Sequence, residues 1–189
     1  MSAQDSKLFV ISGPSGAGKG TLVTRVRERR SNLSLTVSAT TRAPRKGEVD
    51  GVNYFFLTRE EFDRRVANGE FVEWAEVHGN CYGTLVSEVT SKLASGASLI
   101  LEIDVQGALQ VKERFPEAVL IFIKPPSLEV LRERLVGRGT ETPETIELRM
   151  ANAADELALA DRYDDVVVND DLDRATDELV RVLDMHERN

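Results

Sequence analysis

Cysteine is almost absent from this sequence, and long apolar runs are absent altogether. Cys81 is the only cysteine among 189 residues, so no intramolecular disulfide can form, which fits a reducing compartment. No apolar run approaches the roughly 20 residues that a membrane span needs, and the polar residues 1–7 lead directly into a predicted strand. We therefore expect a soluble, cytoplasmic protein with no membrane partner.

Basic residues are also in short supply. The chain has 24 lysines and arginines against 32 aspartates and glutamates, which gives a net charge of −8 with histidines neutral. This balance argues against a basic footprint spread over the whole surface, so no nucleic-acid partner is expected. The length and the 41% hydrophobic content suit one domain that can bury a core. Basic side chains therefore matter only where they cluster.

The motif that organises the chain is the glycine-rich stretch GPSGAGKGT at residues 13–21. An apolar run at residues 8–11 precedes it, and Leu22, Val23 and Val26 follow at helical spacing. The order is therefore strand, glycine loop, helix. Glycines let backbone N–H groups approach a polyphosphate closely, and the positive end of the helix adds to the field. This stretch predicts a cradle for a nucleoside triphosphate.

Lys19 supplies a mobile cation for the terminal phosphates. The match to G-x-x-x-x-G-K-[ST] is incomplete, because Gly20 stands where the pattern has a hydroxyl and Thr21 comes one place later. Phosphate binding tolerates that departure, but direct ligation of Mg²⁺ by a hydroxyl does not follow from it. The predicted ATP-binding residues of the loop are Gly13, Pro14, Ser15, Gly16, Ala17, Gly18, Lys19, Gly20 and Thr21.

Strand and helix patterns alternate along the chain. Strands are predicted at residues 8–11, 33–37, 52–57, 71–77, 99–104, 119–123 and 166–168, and helical patterns run to about residues 30, 68, 93, 115, 135, 160 and 182. Residues 79–84 are predicted to be a turn that leads into a helix. The continuous apolar runs at 99–103 and 119–123 suit strands buried on both faces of a parallel sheet, whereas residues 38–83 resemble a β-rich insert.

A first group of cations lies in the loop after the second predicted strand. Arg42, Arg45 and Lys46 cannot be used for helix pairing there, and guanidinium groups suit the free oxygens of a phosphate monoester. The hydroxyls of Tyr54 and Tyr82 are candidate donors to the same phosphate. A solvated basic loop is the alternative.

A second group of cations surrounds the glycine-flanked residues 137–142, which are predicted to be a mobile lid. Arg134 and Arg138, with Arg149 on the next helix, would meet a phosphoryl group in flight when the lid closes. Phosphoryl transfer depends mainly on positioning and on charge neutralisation, so cations from two sides are expected. Arg132 is set aside as a residue of the helix surface.

Three carboxylates are candidates for reading a base or holding a metal. Glu73 lies in an apolar and aromatic run, where a carboxylate that accepts two hydrogen bonds would distinguish guanine from adenine. Glu102 and Asp104 are two residues apart on one predicted strand, so both are expected on one face near its carboxyl end. One would accept from the base and the other would hold a water of Mg²⁺, with a strand-end cap as the alternative for Glu102.

In this order the motifs resemble the guanylate kinases across residues 8–172, nearly the whole chain. They are GPSGAGKGT at 13–21, SxTTRxPR at 38–45, GxxYxF at 51–56, FVEWA at 71–75, NxYGT at 80–84, EIDxQG at 102–107, RLxxRGTE at 134–141 and VNDDL at 168–172. The resemblance implies transfer of the γ-phosphoryl of ATP to GMP, and to dGMP, with Mg²⁺. It also implies an α/β fold: a three-layer P-loop kinase core with a parallel sheet (residues 7–37, 84–124 and 143–189), a small β-rich GMP-binding insert (about 38–83) and an α-helical lid (about 125–142).

The resemblance also assigns a role to each matching residue. Guanine would be held by Ser38, Glu73, Thr84 and Asp104; the GMP phosphate by Arg42, Arg45, Tyr54 and Tyr82; and the transferring group by Lys19, Arg134, Arg138 and Arg149. Asn169 would lie near adenine. Two departures are small, because Glu102 replaces a more usual aspartate and Cys81 stands where a tyrosine or another residue is common.

Two other functions remain open at this stage. A guanylate-kinase-like interaction module keeps the fold but binds a protein in the acceptor site, and such modules lose the loop lysine or the arginines, which this sequence has. A kinase of the same architecture that acts on a ribose bisphosphate is the second, although a sugar phosphate has no base edge for Glu73 and Asp104. The oligomeric state does not follow from the sequence.

Overall fold

The structure is a computed structural model that describes residues 6–77, 79–137 and 142–188. Its strands are β1 (Leu8–Ser12), β2 (Leu33–Leu35), β3 (Ala39–Thr40), β4 (Phe55–Phe56), β5 (Phe71–Val77), β6 (Asn80–Leu85), β7 (Ser98–Glu102), β8 (Val119–Lys124) and β9 (Asp165–Val168). Its helices are α1 (Lys19–Arg29), α2 (Arg59–Ala67), α3 (Val86–Ala94), α4 (Val105–Arg114), α5 (Leu128–Gly137), α6 (Pro143–Ala158) and α7 (Leu172–Glu187), with a 3₁₀ turn at Ala160–Arg162.

A five-stranded parallel sheet in the order β2-β7-β1-β8-β9 forms the centre of the molecule. All five residues of β1 are buried. Because successive side chains of a strand point to opposite faces, Phe9 and Ile11 pack toward α1 and α7, whereas Leu8 and Val10 pack toward α3 and α4. Helices therefore cover both faces of the sheet, and the predicted three-layer α/β class is confirmed.

A second sheet of four strands, in the order β4-β3-β6-β5, is formed by residues 39–85. Its own small core contains Ala39, Phe62, Phe71 and Cys81. Phe62 of α2 stacks on Phe71 of β5 with ring centroids 4.3 Å apart, so α2 covers this sheet. Cys81 is fully buried in that core, and burial raises the pKa of its thiol, which fits a packing residue better than a nucleophile.

The predicted turn at residues 79–84 is wrong, because residues 80–85 form strand β6, which pairs antiparallel with β5. The sequence pattern did not predict this strand because it contains Gly83, a residue typical of turns. A Cβ at Gly83 would lie 2.7 Å from the Glu73 carbonyl oxygen, so the position has no room for a side chain. The glycine that suggests a turn therefore permits close approach of two strands. The predicted strand at residues 52–57 is reduced to Phe55–Phe56, and β3 was not predicted at all.

The prediction of one strand through residue 104 is also wrong. Strand β7 ends at Glu102, and Asp104 is instead the N-cap of α4, where its carboxylate accepts a hydrogen bond from the Gly107 backbone N–H at 2.8 Å. The strand-face argument for Glu102 and Asp104 therefore fails. Two other helices begin at a threonine cap, since Thr58 caps α2 and Thr142 caps α6, with Pro143 in the first turn.

Helices α5 and α6 pack together through a small apolar cluster of Leu131, Leu135, Ile146 and Ala153. Residues 138–141 of the predicted lid, and with them Arg138, lie outside the described residues. Arg132 of α5 is ion-paired with Glu147 of α6, in keeping with its interpretation as a surface residue. Among the described helices, none is both long enough and apolar enough to cross a membrane.

Candidate functional site

The glycine loop between β1 and α1 has a backbone that only glycine adopts easily. Gly13 has φ of 137°, and a Cβ there would lie 2.2 Å from the Ile123 carbonyl oxygen of β8. Gly18, which caps α1, lies in the left-handed region at φ of 92°. These conformations curl the loop over the carboxyl end of the sheet, where ligands of open α/β sheets bind.

The side chain of Lys19 extends back across the glycine loop to the start of the loop. Its Nζ donates to the carbonyl oxygens of Gly13 at 2.6 Å and Pro14 at 3.1 Å. The ammonium is therefore held over the loop, in reach of the same space as the helix N-terminus. The cleft in front of the loop is lined by Ser15, Gly16, Gly18, Lys19, Gly20, Thr21 and Glu102.

Three of the predicted site residues contact the loop from other elements. Arg149 of α6 donates to the Ser15 hydroxyl. The amide Nδ2 of Asn169, just after β9, donates to the Ala17 carbonyl oxygen at 2.7 Å. Arg134 of α5 donates to the Asn169 carbonyl oxygen at 2.8 Å and to that of Ala17 at 3.5 Å. The structure therefore brings Arg134, Arg149 and Asn169 into contact with the loop, and both Arg134 and Asn169 donate to the Ala17 carbonyl oxygen.

A second cleft lies between the two sheets. Its lining is Ser38, Tyr54, Glu73, Ala75, Val77, Tyr82, Gly83, Glu102, Ile103 and Asp104. Five of these residues were predicted to bind guanine or the GMP phosphate, and they come from five separate segments of the chain: Ser38, Tyr54, Glu73, Tyr82 and Asp104. The rings of Tyr54 and Tyr82 meet edge to face at 6.2 Å between centroids, so the two candidate phenol donors are neighbours.

Glu73 is the buried acid of this cleft, with a relative exposure of 8%. It lies opposite Thr84 in the β5–β6 pairing, and a Cβ at Gly107 would lie 3.3 Å from its Oε2 and 3.4 Å from Asp104 Oδ1. Gly107 thus leaves room for both carboxylates. Burial raises the pKa of Glu73, the Thr84 hydroxyl opposes this, and the charge of Asp104 adds to it. A ligand with adjacent N–H donors would satisfy such a carboxylate.

Arg42 has a partner that the sequence did not reveal. Its Nη2 donates to both oxygens of Glu48 at 2.9 and 3.0 Å, and its guanidinium carbon lies 5.4 Å from the Tyr54 ring centroid. The hydrogen bond from Arg42 holds the pKa of Glu48 below its usual range. The backbone N–H of Arg45 donates to Glu48 at 2.6 Å, and the Arg45 side chain is exposed. Spacing could not show this pairing, because the turn of the loop creates it.

Glu102 lines both clefts and so marks where they meet. A Cβ at Gly20 would lie 3.4 Å from Glu102 Oε1, so the glycine that breaks the expected motif faces this carboxylate. Glu102 is exposed at the end of β7, but the protein atoms around it displace part of its water and raise its pKa, and the ammonium of Lys19 opposes the shift. A carboxylate poised between two clefts fits an outer ligand of a hydrated cation.

Glu156 of α6 is a second acid that the sequence reading missed. Partial burial raises its pKa, the charge of Lys19 lowers it, and the charge of Asp104 raises it. The available signal was its spacing, since it follows Arg149 by two helical turns on one face. Within the described residues, no group of three His, Cys, Asp or Glu side chains could hold a metal ion.

Comparison with known proteins gives one consistent family. The family model described as guanylate kinase matches residues 5–186. A guanylate kinase from Gloeobacter violaceus is 57% identical over 178 residues, which cover 94% of this chain and 87% of that protein. Another from Halalkalibacterium halodurans is 52% identical over 183 residues, covering 97% and 90%.

A solved structure agrees with the sequence comparisons. The crystal structure of guanylate kinase from Anaplasma phagocytophilum superposes with a TM-score of 0.75 at 36% identity, covering 98% of this chain and 88% of that one. Sequence and fold therefore both match over nearly the whole chain. The chain belongs to the guanylate kinase family, whose members phosphorylate GMP to GDP with ATP.

Proposed function

We propose that this chain transfers the γ-phosphoryl group of ATP to GMP, and to dGMP, with the two substrates in the two clefts described above. The observation that carries the proposal is the position of Glu102, which lines both clefts at once. A donor phosphate on the loop and an acceptor phosphate in the second cleft would meet at this residue. In-line transfer requires that proximity and little covalent chemistry from the protein.

On the donor side, the backbone N–H groups of the loop would hold the β- and γ-phosphates, and Lys19 would neutralise their charge. Arg149, already bound to Ser15, would add a second cation from α6. Arg134 and Arg138 are assigned to the transferring group by the family resemblance, and Asn169 to the adenine side. Closure of the proposed lid (about residues 125–142) would exclude water that hydrolyses ATP.

On the acceptor side, the buried Glu73 and the helix-capping Asp104 would accept from the N–H edge of guanine, with Ser38 and Thr84 as hydroxyl partners. Guanine would relieve the cost of holding an ionised carboxyl at 8% exposure, because each N–H donor compensates lost water. The acceptor phosphate is assigned to Arg42, Arg45, Tyr54 and Tyr82. The insert would be residues 38–83, and the core residues 7–37, 84–124 and 143–189.

Mg²⁺ is proposed as the cofactor that accompanies ATP. The residues present fit such an ion only as outer ligands, since Gly20 offers no hydroxyl and Glu102 faces the cleft beside it. Mg²⁺ keeps several waters and binds phosphates readily, so Glu102 would hold it through water. When bound, it neutralises charge on the phosphates. A cytoplasmic role in purine nucleotide metabolism is proposed with it, since ATP and GMP are the reactants.

An acceptor panel tests this function. Purified protein with MgATP is given GMP, dGMP, AMP, CMP, UMP and ribose bisphosphate in parallel, and ADP release is followed by a coupled assay. We expect turnover confined to GMP and dGMP. Turnover with ribose bisphosphate would overturn the base-reading assignment, and binding of GMP or ATP without turnover on any acceptor would instead favour an interaction module.

A further inference from the structure

The side chain of Asn169 is buried and hydrogen-bonded to the glycine loop. Asn169 has a relative exposure of 5%. Its backbone N–H donates to the Lys124 carbonyl oxygen at 2.8 Å, which extends the β8–β9 pairing by one residue. Its Nδ2 then donates to the Ala17 carbonyl oxygen at 2.7 Å. The residue therefore links the edge of the central sheet to the loop.

The bond to Ala17 determines where the next N–H points. A trans peptide is planar, with its C=O and N–H on opposite sides, and the described residues contain no cis peptide. When Asn169 holds the Ala17 carbonyl at the back of the loop, the N–H of Gly18 must point to the front. Gly18 lines the cleft there.

Two further contacts fix the same peptide. A Cβ on Gly18 would lie 2.4 Å from Asn169 Nδ2, so the glycine admits the amide as well as the φ of 92°. Arg134 donates to the carbonyl oxygens of both Asn169 and Ala17, at 2.8 and 3.5 Å. The amide nitrogen must face Ala17, because an amide oxygen there would meet a second acceptor.

We propose that Asn169 is a positioning residue of the donor site, which orients the Gly18 N–H toward the triphosphate by holding the Ala17 carbonyl. The assignment of that cleft to a triphosphate rests on the proposed function. This role differs from a contact with adenine, because it affects binding of the phosphates. Its effect on donor binding should therefore be the same whichever base the donor carries. Arg134 assists by bracing Asn169 and Ala17 together.

The test uses the full chain with Asn169→Ala and Asn169→Asp, and Asn68→Ala as the control. Asn68 also donates through Nδ2, to Glu70 at 3.0 Å, but lines neither cleft. KM is measured for MgATP and for MgITP, which lacks the adenine amino group, and binding of inorganic tripolyphosphate is measured by calorimetry. Thermal melting checks that each variant is folded.

We expect KM for both donors to rise by the same factor, about tenfold to a hundredfold, with KM for GMP unchanged. Tripolyphosphate binding should weaken to match. Asn169→Asp should be impaired at least as much as Asn169→Ala, because a carboxylate would face the Ala17 carbonyl. A loss confined to MgATP, or wild-type binding by Asn169→Asp, would overturn the proposal in favour of an adenine contact.

A measurement on the unmodified protein covers the case in which the variants do not fold. The Gly18 amide resonance of ¹⁵N-glycine-labelled protein should shift when tripolyphosphate is added, and an unmoved resonance would overturn the proposal. These outcomes are separate from the acceptor panel. Protein whose tripolyphosphate binding is weakened by Asn169→Ala, but which phosphorylates no acceptor, would contradict the proposed function and leave the role of Asn169 supported.

Discussion

The donor cleft and the acceptor cleft are built in different ways. Apart from Glu102, the donor cleft is lined by one contiguous loop, residues 13–21, and Arg134 and Asn169 bind a backbone carbonyl of that loop. The acceptor cleft collects side chains from five segments of chain around a buried acid, Glu73. Backbone donors recognise any polyphosphate, whereas placed side chains recognise one base. The two clefts should therefore respond separately to substitution.

The largest effect is expected from Lys19→Met, which removes the cation over the loop at similar side-chain volume. Loss of one charge-stabilising donor typically lowers kcat by about 10²–10³-fold, and KM for GMP should stay unchanged. Steady-state kinetics with both substrates varied would measure this. Lys112→Met is the matched control, because Lys112 Nζ also donates to a backbone carbonyl, that of Ala118 at 2.7 Å, away from both clefts. A raised KM for GMP in Lys19→Met would contradict the expectation that the two clefts respond separately to substitution.

A smaller effect on selectivity is expected from Glu73→Gln. Its amide would present a donor where guanine also donates, which costs about 1–3 kcal/mol of discrimination between GMP and AMP. The ratio of kcat/KM for the two acceptors measures it, and KM for MgATP should not move. Glu76→Gln is the control on the same strand, since Glu76 is exposed and pairs with Arg59. An equal loss with GMP and AMP would contradict the assignment.

The smallest expected effect is a change in how the free energy of unfolding depends on pH when Glu73 is replaced. Because burial raises the pKa of Glu73 above 4.5, the folded protein binds this proton more tightly than the unfolded chain does. The stability that this group contributes is present below pH 4.5 and is lost as pH rises through the folded-state pKa. Glu73→Gln should therefore raise the free energy of unfolding at neutral pH, on the order of 1 kcal/mol, without ligand.

Denaturant unfolding of both proteins across the pH range would measure that difference. The gain should shrink as pH falls and vanish below pH 4.5, where the wild-type carboxyl is protonated in both states. A constant difference at every pH would point to packing as its cause. A gain in stability together with a loss of GMP selectivity would show that the acceptor cleft keeps a costly charge for recognition.

Local signals predicted much of the fold. The buried runs of β1, β7 and β8 were predicted correctly, because burial on two faces gives a continuous apolar run in the sequence. Strand β6 was missed, since its pairing with β5 and the close approach at Gly83 are not local. Asp104 was placed on a strand because its capping bond to Gly107 depends on where the strand ends.

The sequence by itself determined the phosphate loop, because the left-handed conformations there belong to Gly13, Gly16 and Gly18, which lie within six residues of one another and carry no Cβ. It also determined the family, through motifs that run in order along the chain. The tertiary structure alone decided that Glu48 pairs with Arg42 and that Asn169 holds Ala17. The first contact depends on the turn of one loop and the second on the packing of β9 against the glycine loop, and neither leaves a periodic trace in sequence.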